Sequence, residues 1–207
     1  MAAQAAVFAR EEDIEASLAM CQHAFDVLIA ELESKQEPTP AFSIDGASYP
    51  MFVTWDIIHG SRSTLRGCIG TLSPAKLDSI AYYAKRSAFK DRRFKPIEAT
   101  EVPSLRVSVS LLVKYEKARD AFDWDIDRHG IVIEFSDAMG RNFSATYLPH
   151  VAREQGWNHE QALRSLVKKS GYTGKLTMEQ LRGLGTTRYQ SSKMKMTYAE
   201  YLQLRNS

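Results

Sequence analysis

The strongest constraint on the fold is an alternating pattern between residues 105 and 115. Apolar side chains recur there at every second position, at Leu105, Val107, Val109, Leu111, Val113 and Tyr115. A period of two predicts a β-strand with one buried face, and Leu112 is the single exception on the polar face. Because another layer of structure has to cover such a face, the chain must contain a sheet packed against further elements.

Other segments predict helices and strands in no regular order. An amphipathic helix is predicted over 10–35, with Cys21 buried in its apolar stripe and His23 exposed. Further strands are predicted at 49–56, 64–69, 130–135, 142–147 and 187–196, and further helices start near Ser73-Pro74, Asn158 and Thr197. The irregular order favours an α+β fold over a doubly wound sheet.

The composition excludes several classes of protein. The chain has 207 residues, of which 44% are hydrophobic, and its formal net charge is +2. So small a positive charge does not require nucleic acid or an anionic membrane as a partner. With two cysteines, a disulfide scaffold and a four-cysteine zinc site are excluded. No apolar run is long enough to span a bilayer, and the start lacks a secretory signal. We expect a soluble cytoplasmic protein without a membrane partner, with residues 1–9 flexible and one domain over 10–207.

The segment Leu65-Arg66-Gly67-Cys68-Ile69-Gly70-Thr71 carries the strongest candidate chemistry. In an extended segment Arg66 and Cys68 share one face, where a guanidinium favours a thiolate. The opposite face then holds Leu65, Gly67 and Ile69. The flanking glycines allow another molecule to approach, which suits a nucleophilic or redox-sensing thiol. Alternatively, Cys68 is a buried small residue and the glycines let a helix pack on the strand.

A thiol nucleophile needs a base, and His129, at the start of a predicted strand, is the candidate partner of Cys68. The five histidines lack the spacing of a metal motif, and no P-loop or dinucleotide fingerprint is present. We therefore expect no metal and no cofactor. The stretch 85–95 is basic with an interleaved aromatic, which fits a phosphate or an acidic protein surface, although a solvated helix end explains it as well.

Several strings together resemble the AMMECR family. LRGCIGT at 65–71 looks like the hallmark of that family, and six further strings match it in register. These are YPMFVTW, SAFKDRRFKPI, SVSLL, HGIVIEF, ATYLPHVAREQGW and TYAEYL. The resemblance covers residues 10–205 and implies a single AMMECR-type domain. Its expected fold is a larger lobe, built on a mixed sheet flanked by helices, and a smaller α/β lobe.

The resemblance implies a functional surface around residues 66–70 but no particular reaction, so whether the protein is an enzyme stays open. The residues matched to the family for binding are Leu65, Arg66, Gly67, Ile69, Gly70, Asp91 and Arg93, with Cys68 and His129 as candidate catalytic residues. The first hypothesis is a regulatory protein, cytoplasmic or also nuclear, that binds another protein or a small ligand. The second is a cysteine-dependent enzyme or redox sensor, and the third is nucleic-acid binding through 85–95.

Overall fold

The computed structural model describes residues 14–43, 46 and 48–206. Its strands span Ser48–His59 (β1), Arg62–Lys76 (β2), Leu105–Lys117 (β3), Gly130–Ser136 (β4), Asn142–Tyr147 (β5) and Gly185–Thr197 (β6). They form one six-stranded antiparallel sheet in the order β2-β1-β3-β6-β4-β5. The predicted α+β class is confirmed, whereas the sheet is antiparallel where the resemblance implied a mixed one.

The helices differ widely in length. They span Leu18–Leu32 (α1), Ser79–Phe89 (α2), Val151–Glu154 (α3), His159–Lys169 (α4), Met178–Arg182 (α5) and Tyr198–Arg205 (α6), and a 3₁₀ helix covers Ala99–Ser104. Two compact units divide the described chain: a larger unit of residues 14–112 and 192–206, and a smaller unit of residues 113–191. Strands β3 and β6 contribute residues to both units.

The core of the larger unit lies between the sheet and its helices. Trp55 of β1 is fully buried, and Phe25 of α1 packs against its ring edge-on, with the centroids 5.2 Å apart. The Trp55 indole donates a hydrogen bond to the carbonyl of Ala84 in α2, at 3.1 Å. Val107 and Val109 of β3 are fully buried as well. The predicted strand and its buried apolar face are confirmed, and α1 and α2 cover that face. The opposite face is buried in part as well, because Ser108 and Leu112 are buried.

The core of the smaller unit joins β4 to α4. Ile131 and Ile133 pack with Leu163 and Leu166 in one buried cluster. Helix α4 starts as predicted, because the Asn158 side chain accepts a hydrogen bond from the Gln161 amide while the Gln161 side chain accepts one from the Asn158 amide.

Two predicted helix starts are wrong. Ser73-Pro74 lies inside β2, since pairing of Ser48 with Lys76 continues the strand past it, and an irregularity after Tyr49 accommodates the proline on the edge strand. Helix α2 begins later, at Ser79. Helix α1 begins at Leu18, after the N-cap Ser17, rather than at residue 10. Residues 10–13 of that prediction, and the predicted flexible segment 1–9, lie outside the described residues.

Two side chains of α1 show how far periodicity predicts burial. Cys21 is fully buried, as predicted, and burial raises the pKa of its thiol to about 12. The prediction that His23 is exposed is wrong, because the residue is 3% exposed and packs edge-on against Phe42, with ring centroids 5.7 Å apart. Burial lowers the pKa of His23.

Candidate functional site

The segment 65–70 lies in β2, which is an edge strand of the sheet. Trp55 pairs with Gly67, but the next residue of β1, Asp56, pairs with Leu65, so Arg66 is an extra residue that forms a β-bulge. Residues that pair directly share a face, so the bulge brings Leu65 to the face of Cys68. The prediction that these two residues face opposite sides is therefore wrong, because a bulge resets the alternation.

Arg66 connects the edge strand β2 to the loop that follows α2. Its Nε and Nη2 atoms donate to the two carboxylate oxygens of Glu101 at 2.7 and 3.0 Å. Its Nη1 and Nη2 atoms donate to the carbonyls of Lys95 and Pro96 at 2.8 and 3.1 Å. The Arg66 side chain is 12% exposed, and the ion pair lowers the pKa of Glu101. The guanidinium is thus engaged by groups of the protein itself.

An ion pair covers the outward backbone groups of Cys68. The Cys68 amide donates to Asp91 Oδ2 at 2.9 Å, and Arg93 Nη2 donates to the Cys68 carbonyl at 3.3 Å. Asp91 and Arg93 are joined at 2.7 Å, and the Asp91 side chain is 8% exposed. The hydrogen bond from Arg93 holds the pKa of Asp91 well below its usual range. We call the set Arg66, Cys68, Asp91, Arg93 and Glu101 the edge clamp, since it caps an edge strand.

The space beside both glycines of the segment, Gly67 and Gly70, is occupied by other atoms of the protein. A Cβ at Gly67 would overlap the carbonyl oxygen of Ser87 in α2, and a Cβ at Gly70 would overlap the Met51 carbonyl and the Phe52 ring. Close packing of a helix on the strand therefore accounts for Gly67. This was the structural alternative to the approach of another molecule.

The thiol of Cys68 meets a hydroxyl rather than a base. Thr54 Oγ1 donates a hydrogen bond to Cys68 Sγ at 3.2 Å, across the β1–β2 pair. Among the described residues, no histidine forms a hydrogen bond with Cys68. His129 belongs to the smaller unit, where its Nδ1 accepts the Asp125 amide hydrogen at 2.9 Å. Burial and the nearby Arg188 lower the pKa of His129. Each candidate catalytic residue is held by residues of its own unit.

The basic stretch 85–95 contains both paired and unpaired cations. Lys85 forms an ion pair with Glu37, and Arg93 forms one with Asp91. Lys90, Arg92 and Lys95 are exposed and form no ion pair in the part of the chain that the structure describes. Helix α2 ends at Phe89, so these three cations lie on the loop that the edge clamp holds.

The sequence did not predict the hydrogen-bond partners of Arg66 and Cys68. Glu101 lies 35 residues from Arg66 and Thr54 lies 14 residues from Cys68, so no local spacing connects them. Within residues 14–43, 46 and 48–206, no group of three or more metal-binding side chains occurs. No helix in these ranges is long and apolar enough to cross a bilayer.

Comparison with known proteins decides the family. The sequence model of the family described as AMMECR1 matches residues 21–194. The chain belongs to the AMMECR1 family. This AMMECR1 chain is 45% identical to an uncharacterized protein of Arabidopsis thaliana over 192 residues, covering 91% of this chain and 89% of that protein. It is 39% identical to an uncharacterized protein of Schizosaccharomyces pombe over 184 residues, covering 88% and 93%.

A solved structure shares the fold of this AMMECR1 chain. The crystal structure of an uncharacterized protein from Pyrococcus horikoshii matches it with a TM-score of 0.58 and 24% identity, covering 85% of this chain and 88% of that one. The match to the family model and the sequence relatives confirm the resemblance that LRGCIGT and its companion strings predicted. Because membership of the AMMECR1 family brings no reaction with it, function has to be argued from the geometry.

Proposed function

We propose that this AMMECR1 chain is a binding protein that takes up an acidic segment of a partner protein. The binding surface consists of Lys90, Arg92, Arg93 and Lys95, and we call it the basic loop. The observation that carries the proposal is that three of these cations are exposed without an ion pair among the described residues. The loop that bears them is held firmly by the edge clamp.

Preorganisation supports this role. A flexible loop loses conformational entropy when it binds, and a loop already held in place loses less. Arg66 and Asp91 connect the two ends of the basic loop to β2 through charged hydrogen bonds, which are stronger than neutral ones. Arg66, Gly67, Gly70 and Asp91 are therefore positioning residues in this proposal, rather than contacts of the partner.

Charge and exposure indicate which residues contact the partner. Arg93 is 57% exposed although it pairs with Asp91, so its outer face is open to a second carboxylate. Leu65 is exposed on the same edge strand and supplies an apolar contact. Lysine and arginine donors match carboxylates, and their attraction is felt over about 8 Å at physiological ionic strength.

The geometry gives less support to a cysteine-dependent enzyme. Such an enzyme needs a base within hydrogen-bond reach of its nucleophile, whereas Thr54 occupies the position next to Cys68 Sγ. Nucleic-acid binding uses the same charges as the proposal, and the two partners differ in which polyanion binds more tightly at the same salt concentration.

The test measures the affinity for a fluorescein-labelled oligoglutamate peptide by anisotropy. The variant Lys90→Glu/Arg92→Glu/Lys95→Glu should weaken binding at least about tenfold, because three cations of the binding surface become anions that repel the peptide. A tenfold loss corresponds to about 1.4 kcal/mol of binding free energy. The matched control is Lys117→Glu/Arg128→Glu/Lys175→Glu, which reverses three exposed cations of the smaller unit.

Equal losses in the variant and the control would reduce the binding to a general effect of net charge and overturn the proposal. A labelled single-stranded oligonucleotide is measured in parallel. Tighter binding of the oligonucleotide than of the peptide, measured at the same salt concentrations, would replace the protein partner by nucleic acid.

A further inference from the structure

The exposed face of α2 leads directly to the basic loop. Tyr82, Arg86 and Lys90 follow one another at intervals of four residues and are all exposed, so they lie in one row along the helix. Lys90 is the C-cap residue of α2 and also belongs to the basic loop. We call Tyr82, Arg86 and Lys90 the α2 row. The row extends the surface of the basic loop by about two helical turns.

Tyr82 presents an aromatic ring to solvent. The residue is 52% exposed, and it is the one aromatic residue among the large exposed apolar residues of the described chain. Tyr83 meets its ring edge-on, with the centroids 5.1 Å apart, and the Arg86 guanidinium carbon lies 5.6 Å from its centroid. Because these contacts hold the ring while leaving much of it open, a partner can stack on it at little cost in conformational entropy.

The charges along α2 determine where an acidic segment can lie. Within the described residues the Arg86 guanidinium contacts the Tyr82 ring and forms no ion pair, whereas Lys85 is already paired with Glu37. Asp78, the N-cap residue of α2, lies one turn before Tyr82 and repels carboxylates. The carboxylates of a bound segment therefore lie toward Lys90, and the part of the segment that reaches Tyr82 is uncharged.

We propose that the acidic segment carries an aromatic side chain that stacks on Tyr82, about four residues away from the carboxylate that binds Lys90. This contact rests on the proposed function, because it specifies the partner segment that the basic loop binds. Tyr82 and Lys90 are about 12 Å apart along the helix, at about 1.5 Å per residue. An extended chain covers about 3.3 Å per residue, so about four residues of the segment span the α2 row.

Two fluorescein-labelled peptides test the aromatic contact by anisotropy. One has the sequence Trp-Gly-Ser-Gly followed by six glutamates, and in the other an alanine replaces the tryptophan. Both carry the label at the glutamate end, away from the expected contact. The tryptophan peptide should bind the unchanged protein about three- to tenfold more tightly than the alanine peptide, which is the gain typical of a stacked aromatic pair.

Substitutions at Tyr82 connect this gain to the ring. Tyr82→Ser should remove the gain, whereas Tyr82→Phe keeps the ring and should keep the gain. Met139→Ser is the matched control, because Met139 is a large exposed apolar residue of the smaller unit, and it should leave the gain unchanged. A gain that persists in Tyr82→Ser, or that Met139→Ser reduces equally, would overturn the contact with Tyr82.

The alanine peptide distinguishes failure of the aromatic contact from failure of the proposed function. If this peptide binds through the basic loop and the tryptophan adds no affinity, the proposed function stands and the aromatic contact is wrong. If the affinity of this peptide does not fall in Lys90→Glu/Arg92→Glu/Lys95→Glu, the proposed function itself is wrong.

Cross-linking locates the aromatic side chain of the bound peptide. A peptide with benzoylphenylalanine in place of the tryptophan should form its cross-link within residues 77–85, the tryptic fragment that contains Tyr82. Cross-links confined to other fragments would contradict stacking on Tyr82, even where the tryptophan strengthens binding.

Discussion

Gly67 lies so close to α2 that any side chain there would overlap the carbonyl oxygen of Ser87. A glycine beside a cysteine has two physical explanations, close approach of a ligand or close approach of the protein's own backbone. Only the position of α2 distinguishes between them. The sequence leaves open in the same way whether Arg66 binds a ligand or another residue of the protein. The structure shows that it binds Glu101.

Replacement of Gly67 by alanine should destabilise the fold. The added methyl group meets backbone rather than a flexible side chain, so α2 has to move, and overpacking of this kind costs about 1–3 kcal/mol or more. Urea unfolding measures the loss. Gly183→Ala is the control, because an added Cβ there meets its nearest neighbour at an ordinary 3.5 Å, and its effect should stay within about 0.5 kcal/mol. Equal effects of the two substitutions would contradict the packing explanation.

Among the elements, α4 and β2 show what local signals can predict. The Asn158 capping box joins residues three positions apart, so the start of α4 is visible in the sequence. Ser73-Pro74 carries an equally good local signal for a helix, but pairing of β2 with β1 resumes directly after it, at Ala75 and Lys76. Pairing to a neighbouring strand outweighed the local preference.

The N-cap of α4 should therefore contribute measurably to stability. Asn158→Ala removes the acceptor for the Gln161 amide and should cost about 0.5–2 kcal/mol in urea unfolding. Asn158→Asp keeps the acceptor and adds a favourable charge at the helix start, so it should be close to neutral. A loss in the aspartate variant as large as that in the alanine variant would mean that the cap is not the cause.

The ion pair at the edge of β2 makes a second prediction for an element. Asp91→Asn removes the charge that holds the Cys68 amide and Arg93. We expect a loss of about 1–3 kcal/mol at neutral pH and faster hydrogen exchange at the Cys68 amide. Asp78→Asn serves as control, because Asp78 precedes α2 without a side-chain cap. If hydrogen exchange at Cys68 stays as slow in Asp91→Asn as in the unchanged protein, the edge clamp does not protect β2.

For the whole molecule, four lowered pKa values predict how stability depends on pH. Burial lowers the pKa values of His23 and His129, and arginine partners lower those of Asp91 and Glu101. At each site the unfolded chain binds a proton more readily, so the free energy of unfolding falls as pH falls. As pH falls, the loss of stability caused by the histidines begins near their ordinary pKa of about 6.5. The loss caused by the carboxylates begins near their ordinary pKa of about 4.

Urea unfolding over a series of pH values tests both losses of stability. The His23→Gln/His129→Gln variant should lose most of the decrease between about pH 7 and pH 5 and keep the decrease below about pH 4. A free energy of unfolding that rises from pH 7 to pH 5 in the unchanged protein would contradict the burial of the two histidines.

The sequence by itself determined the features that depend on neighbouring residues. The alternation of β3, the apolar stripe around Cys21, the starts of α4 and α6 and the membership of the AMMECR1 family all follow from short spacings or from strings in register. Such signals exist because helices and strands repeat at fixed intervals along the chain.

The tertiary structure alone decided the partners of the segment at 65–70. The bulge at Arg66, the contact of Arg66 with Glu101 and the burial of His23 each depend on residues far away in the chain. The free backbone groups of an edge strand bond to residues that the fold places beside it, and these can be distant in the sequence. A sheet face or a helix face is buried only when another element packs against it. Contacts of this kind leave no periodicity in the sequence.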